Sequence, residues 1–177
     1  MSKIRLATLW LDGCSGCHMS FLDLDERLLA LADQIELVYS PLVDVKHFPE
    51  NVDIALVEGA ISTDEDIEKI QLVRKNTKIL VAFGDCAVTA NIPSMRNPFG
   101  KDEILKSVYL DREVDNPQIP GQVVPNLLNR AVPLHRIVKV DLFVPGCPPT
   151  ANTIFHTVSE LIAGRIPDLN HLSRFGA

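Results

Sequence analysis

Four cysteines are the residues of this chain best equipped to do chemistry, and their spacing is uneven. Cys14 and Cys17 sit together in Leu11-Asp-Gly-Cys-Ser-Gly-Cys-His18. Cys86 and Cys147 stand alone, in Gly84-Asp-Cys86-Ala and Pro145-Gly-Cys147-Pro-Pro. Two thiols three positions apart on a glycine-relieved turn can grip one soft metal centre. Each cysteine has a glycine close by (Gly13, Gly16, Gly84, Gly146), and glycine lets backbone N–H groups approach sulfur closely. Four thiolates suit either an iron–sulfur cluster or structural zinc. Zinc sites usually pair two short knuckles, whereas singletons on separate loops fit a wider cubane, whose irons each take one thiolate. Cys147 is also followed by proline, as is the last cysteine of ferredoxin motifs. A thioredoxin-type dithiol at Cys14 and Cys17, two disulfides and a four-cysteine zinc interaction module stay open as rivals.

The remaining chemistry-bearing residues are fewer. No Ser-His-Asp set, phosphate-binding Gly-Lys-Ser/Thr loop or paired-carboxylate motif is present. A cluster without a substrate pocket is an electron relay, so catalysis belongs to a partner. Glu58 ends an apolar run. It is a candidate proton-relay carboxylate, weighed against a carboxylate at a helix start or an interface ion pair. His18 could bond a sulfur or a partner, or merely occupy a first helical turn. Trp10 reads as an interface anchor or a core aromatic. Asp12 and Asp85 read as loop-shaping carboxylates.

Elements must bring these residues together. Ile4–Leu11 reads as a buried strand, followed by the Cys14–Cys17 turn. Phe21, Leu24, Leu28, Leu31 and Ile35 then recur at helical spacing, predicting one amphipathic helix that ends near Asp33. Glu36–Ser40, Ile54–Val57 and Lys78–Phe83 read as further strands. Ser62 three before Glu65 is a capping-box signature for the helix carrying Ile67, Ile70 and Val73. From Pro93 to Pro133 periodicity fades amid repeated prolines, and only a short helix near Lys101–Val108 is expected; so long an excursion is usually functional or partner-binding. Arg136–Val144 reads as the last strand, before a helix containing Ile154, Val158 and Leu161.

Strands alternating with helices imply an α/β fold: a flavodoxin-like doubly wound parallel sheet in strand order 2-1-3-4-5. The chain is read as a single domain over 1–177, with the long excursion before the last strand. In such a sheet all strand C-terminal ends share one edge. Cys14 and Cys17 follow the first strand, Cys86 the fourth and Cys147 the last, so topology carries all four to one rim. The helices after Cys17 and Cys147 would point positive ends at an anionic cluster.

Composition sets the outer bounds. The chain has 177 residues, 46% of them hydrophobic, enough for one substantial core. Its 23 carboxylates against 17 Lys plus Arg argue against nucleic-acid binding. Its apolar runs are strand-sized, so no membrane span is expected. Met-Ser-Lys-Ile-Arg runs straight into a strand pattern rather than a signal peptide. A cytoplasmic protein is the simplest reading.

Cys14-Ser-Gly-Cys17, Val57-Glu-Gly-Ala60, Gly84-Asp-Cys86-Ala and Pro145-Gly-Cys147-Pro-Pro resemble the small subunit of nickel–iron hydrogenases, to which the 20 kDa subunit of respiratory complex I is related. The resemblance covers essentially the whole chain. That complex I subunit has adjacent cysteines at the first position; the C-x-x-C here favours the hydrogenase branch. Leu11–Asp25 is very like the opening of the short small subunit of cytoplasmic NAD(P)-linked bidirectional hydrogenases. Membrane-bound and periplasmic relatives have a twin-arginine leader and a C-terminal region for two more clusters, neither expected here. The resemblance implies one proximal [4Fe–4S] cluster on Cys14, Cys17, Cys86 and Cys147. It implies a large partner subunit holding the Ni–Fe centre, and diaphorase iron–sulfur and flavin subunits binding FMN and NAD. The implied role is to relay electrons between H2 and NAD+. A complex I-like quinone- or ferredoxin-linked relay is the nearest rival.

Overall fold

The computed structural model describes residues 3–112, 115–173 and 175. A five-stranded parallel sheet carries the architecture. Its strands are β1 (Ile4–Trp10), β2 (Ile35–Tyr39), β3 (Val52–Glu58), β5 (Thr77–Phe83) and β7 (Leu142–Val144), in the order β2-β1-β3-β5-β7. Counting only these strands, that is the expected 2-1-3-4-5.

The three inner strands are buried on both faces, as a parallel sheet under helices requires. Along β1 the period-2 alternation sends Leu6 to one face and Ala7 and Leu9 to the other. On one side Ala7, Leu9, Val57 and Ala82 pack with Ile70 and Val73 of α3 (Asp64–Asn76). On the other, Leu6, Leu56, Val81 and Phe83 pack with Phe21 of α1 (Gly16–Leu22), Leu31 of α2 (Glu26–Ala32), and Ile154 and Val158 of α6 (Ala151–Ile162).

Several sequence expectations need correction. The single helix to Asp33 is two, α1 and α2, because the chain turns at Asp25 (φ 50). The apolar residues keep one face across the break, so periodicity hides it. The run of poor helix formers at Asp23 and Asp25 is the local cause. The capping box is shifted by one. Thr63 Oγ1 accepts from the Asp66 N–H at 3.1 Å, and Asp66 accepts from the backbone of Thr63. Ser62, in the short strand β4 (Ile61–Thr63), is unavailable because its hydroxyl donates to Asp12.

The last strand is far shorter than Arg136–Val144: a 3-10 turn occupies Leu134–Arg136 and only Leu142–Val144 pairs. The excursion carries the expected short helix, α5 (Lys101–Tyr109), but is otherwise less irregular than expected, because β6 (Leu127–Val132) pairs antiparallel with β4. Residues 113 and 114 of that stretch lie outside the described residues. No helix is long and apolar enough to cross a membrane among the described residues.

Candidate functional site: a four-thiol cradle

All four cysteines line one recess at the C-terminal edge of the sheet, together with Gly16, Glu58, Asp85, Gly146 and Pro148. None of the four is in a disulfide. Each arrives from a different piece of local geometry.

Beyond β1 the chain continues beside β3. The Leu11 N–H donates to the Glu58 carbonyl at 2.9 Å, and Asp12 and Ala60 exchange backbone bonds of 3.2 and 2.7 Å. Gly59 (φ 91) permits this approach, since a Cβ there would lie 2.7 Å from the Leu11 carbonyl carbon. Ser15 then takes a left-handed conformation (φ 63) and α1 begins, placing Cys17 in its first turn. The Gly16 N–H donates to Cys14 Sγ at 3.4 Å.

Cys86 lies in the first turn of α4 (Asp85–Thr89), a helix absent from the sequence reading. The preceding Gly84 has φ 84 and ψ 162, and a Cβ on it would sit 2.2 Å from Cys17 Sγ. Only glycine leaves room there for the sulfur. The Cys86 and Cys147 loops are clipped together: the Asp85 N–H donates to the Gly146 carbonyl at 2.9 Å, and the Gly146 N–H donates to Asp85 Oδ1 at 2.7 Å. Asp85, read from sequence only as loop-shaping, thus ties two thiol-bearing loops. Ser20 Oγ donates to the Pro149 carbonyl at 2.6 Å and ties α1 to the Cys147 loop.

Glu58 is buried, 2% exposed, and faces the recess. Its Oε2 accepts from the His18 N–H at 2.7 Å and lies 2.6 Å from His18 Nδ1. His18 Nε2 lies 3.0 Å from Thr8 Oγ1, which is 2.8 Å from Ser40 Oγ. His18 therefore bonds a carboxylate and a hydroxyl rather than a sulfur. The chain to Thr8 and Ser40 is not visible in sequence, because its members are scattered over separate elements. Trp10 is half-exposed, with Nε1 donating to the Gly13 carbonyl, so it is not a core aromatic.

Burial, and then the Glu58 carboxylate and the other thiols, push the Cys17 thiol well above its ordinary range. Burial raises Cys86 to about 11, offset in part by a hydrogen bond from the Ile92 backbone. A cationic iron or zinc centre would displace these protons, since it binds thiolate and releases the proton. The four thiols surround the recess, and four thiolates on separate loops could hold either an iron–sulfur cluster or zinc.

A family model described as NADH ubiquinone oxidoreductase, 20 Kd subunit, matches residues 14–161. The chain is similar to NAD-reducing hydrogenase HoxS subunit delta of Cupriavidus necator, 41% identical over 172 residues, covering 94% of this chain and 82% of that one. It is also similar to a subunit of the F420-non-reducing hydrogenase (vhu) of Methanocaldococcus jannaschii, 38% identical over 168 residues, covering 94% of this chain but only 58% of that protein. A crystal structure of NAD+-reducing [NiFe]-hydrogenase in the H2-reduced state superposes with a TM-score of 0.95 at 40% identity, covering 98% of this chain and 99% of that one. The [NiFeSe] hydrogenase of Desulfovibrio vulgaris Hildenborough shares the fold at a TM-score of 0.61 and 16% identity, over 92% of this chain and 60% of that one.

Proposed function

The chain belongs to the family of the 20 Kd subunit of NADH ubiquinone oxidoreductase, and we propose that within it this protein is the electron-transfer small subunit of a cytoplasmic NAD-reducing [NiFe] hydrogenase. The observation that carries the reading is the meeting of Cys14, Cys17, Cys86 and Cys147 around one recess, in a chain so similar to HoxS subunit delta. The four thiolates hold one [4Fe–4S] cluster. When bound, that cluster supplies one-electron transfer between a Ni–Fe centre on a large partner subunit and a diaphorase module binding FMN and NAD.

This chain's own residues do the holding. Gly84 makes room for the Cys17 sulfur. Asp85 fixes the Cys147 loop against Cys86, and Glu58 anchors the first turn of α1 through His18. The carboxylate proposed as a proton relay, Glu58, begins a connected hydrogen-bonded path through His18 and Thr8 to Ser40. Residues 1–177 act as a single module in this account.

Metal analysis of the complex purified through this subunit tests it: roughly four iron and four sulfide per chain are expected, with nickel in a co-purifying large subunit. Zinc alone would reject the relay. A partner without nickel would favour the complex I-like reading that the family's name also admits. Cys86→Ser should abolish H2-dependent NAD reduction yet leave diaphorase activity with an artificial donor intact. Normal H2-dependent rates from a variant shown to lack the intact cluster would reject the assignment.

A further inference from the structure

The turn that follows α4 faces two of the four sulfurs. Ala90 adopts a left-handed conformation (φ 63) and reverses the chain, bringing Asn91 and Ile92 back toward the recess. The Ile92 backbone lies close enough to the Cys86 sulfur to lower the pKa of its thiol. Asn91 Nδ2 lies 3.7 Å from Cys147 Sγ, within range for N–H donation to sulfur.

Asn91 is also held in place. Its backbone N–H reaches Thr89 Oγ1 at 3.4 Å, and its carbonyl accepts from Ser94 Oγ at 2.8 Å. The Ser94 N–H donates to the Ala90 carbonyl at 2.8 Å, closing the turn. The side-chain amide therefore approaches Cys147 from a fixed base.

We propose that Asn91 sets the reduction potential of the cluster by donating its side-chain N–H to the sulfur of Cys147. The inference rests on the cluster reading above and adds a residue that this reading does not use. A sulfur bound to iron gains negative charge when the cluster takes up an electron. A donor aimed at it stabilises the reduced form more than the oxidised form, which raises the potential. Sequence offers no local sign of this, because Asn91 and Cys147 meet only through the sheet topology.

Asn91→Leu removes the donor, nearly preserves the volume and keeps water from taking the amide's place. In the purified complex, iron content and an EPR-monitored redox titration are read together. The expected result is full iron with a midpoint shifted to more negative potential. Full iron with an unchanged midpoint would overturn the proposal while leaving the cluster assignment standing. Absence of iron from the unaltered protein would overturn both. Should Asn91→Leu fail to load iron, the unaltered complex labelled with 15N in its asparagine side chains decides the matter by pulsed EPR. Coupling of a side-chain nitrogen to the reduced cluster supports the bond, and absence of coupling overturns it.

Discussion

Gly84 occupies a backbone region that other residues scarcely enter, with φ 84 and ψ 162. Gly84→Ala would cost about 1–3 kcal/mol in backbone strain and would drive a methyl group to 2.2 Å from Cys17 Sγ. Since the sulfur cannot recede into a packed core, the thiol is displaced from the recess. The variant is expected to fold with reduced stability and to lose most of its iron, read by metal analysis beside a thermal melt. Retention of full iron at normal stability would show that the glycine is not what admits the sulfur. At this scale the sequence tells which residues matter and is silent about how they are held. The glycines near the cysteines stand out because glycine has a physical reason to be there. The bond between Asp85 and Gly146 does not, because its two ends are brought together by strand pairing alone.

Among the elements, β7 is the most exposed to disruption. It has three residues, lies at the sheet edge, and leads directly to Gly146 and Cys147. Asp141 secures its start: the carboxylate accepts from the Leu80 N–H at 2.9 Å and from the Arg74 guanidinium. Although partial burial alone would raise the Asp141 carboxyl, the Leu80 backbone bond and Arg74 hold it below the ordinary range. A depressed folded value means that its contribution is present above the ordinary 3.8 and is lost as the pH falls below it. Asp141→Ala should lower stability at neutral pH by about 1–3 kcal/mol, mostly through the unsatisfied Leu80 N–H. Urea midpoints measured from pH 7 down to pH 3 check this, and the difference from the unaltered protein should shrink as acid is added. A constant difference across that range would exclude the charge as its source.

The elements also show where periodicity misleads. Strand order is legible because buried parallel strands and right-handed crossovers admit few arrangements. The α1–α2 break is not, since Leu24 and Leu31 remain buried on either side of it. Strand β6 escapes a reading from sequence because α3, β5, α4 and α5 all intervene between it and its partner β4. Its middle residues, Asn129 and Arg130, are both exposed, so it lacks a clean alternation.

For the whole molecule, the metal-free state carries its own signature. Cys17 and Cys86 are held protonated in the folded chain, mainly by burial. Their folded values lie above the ordinary 9.0, so their contribution is intact below pH 9 and declines as pH rises toward about 11 through Cys86. Thermal melts of the metal-free chain should therefore fall across that window. Replacing both thiols with alanine should flatten the decline, and a profile unchanged by that replacement would mean the thiols are not its cause.

The recess is built from three loops that have no covalent reason to meet. Cys14 and Cys17 precede four of the five central strands, Cys86 follows the fourth, and Cys147 follows the last. On the proposed reading, a nascent chain emerging from the ribosome would not hold all four ligands until the last strand is made. The scaffold would close first, and the inorganic core would enter a folded chain whose Cys14 and Cys147 are open to solvent.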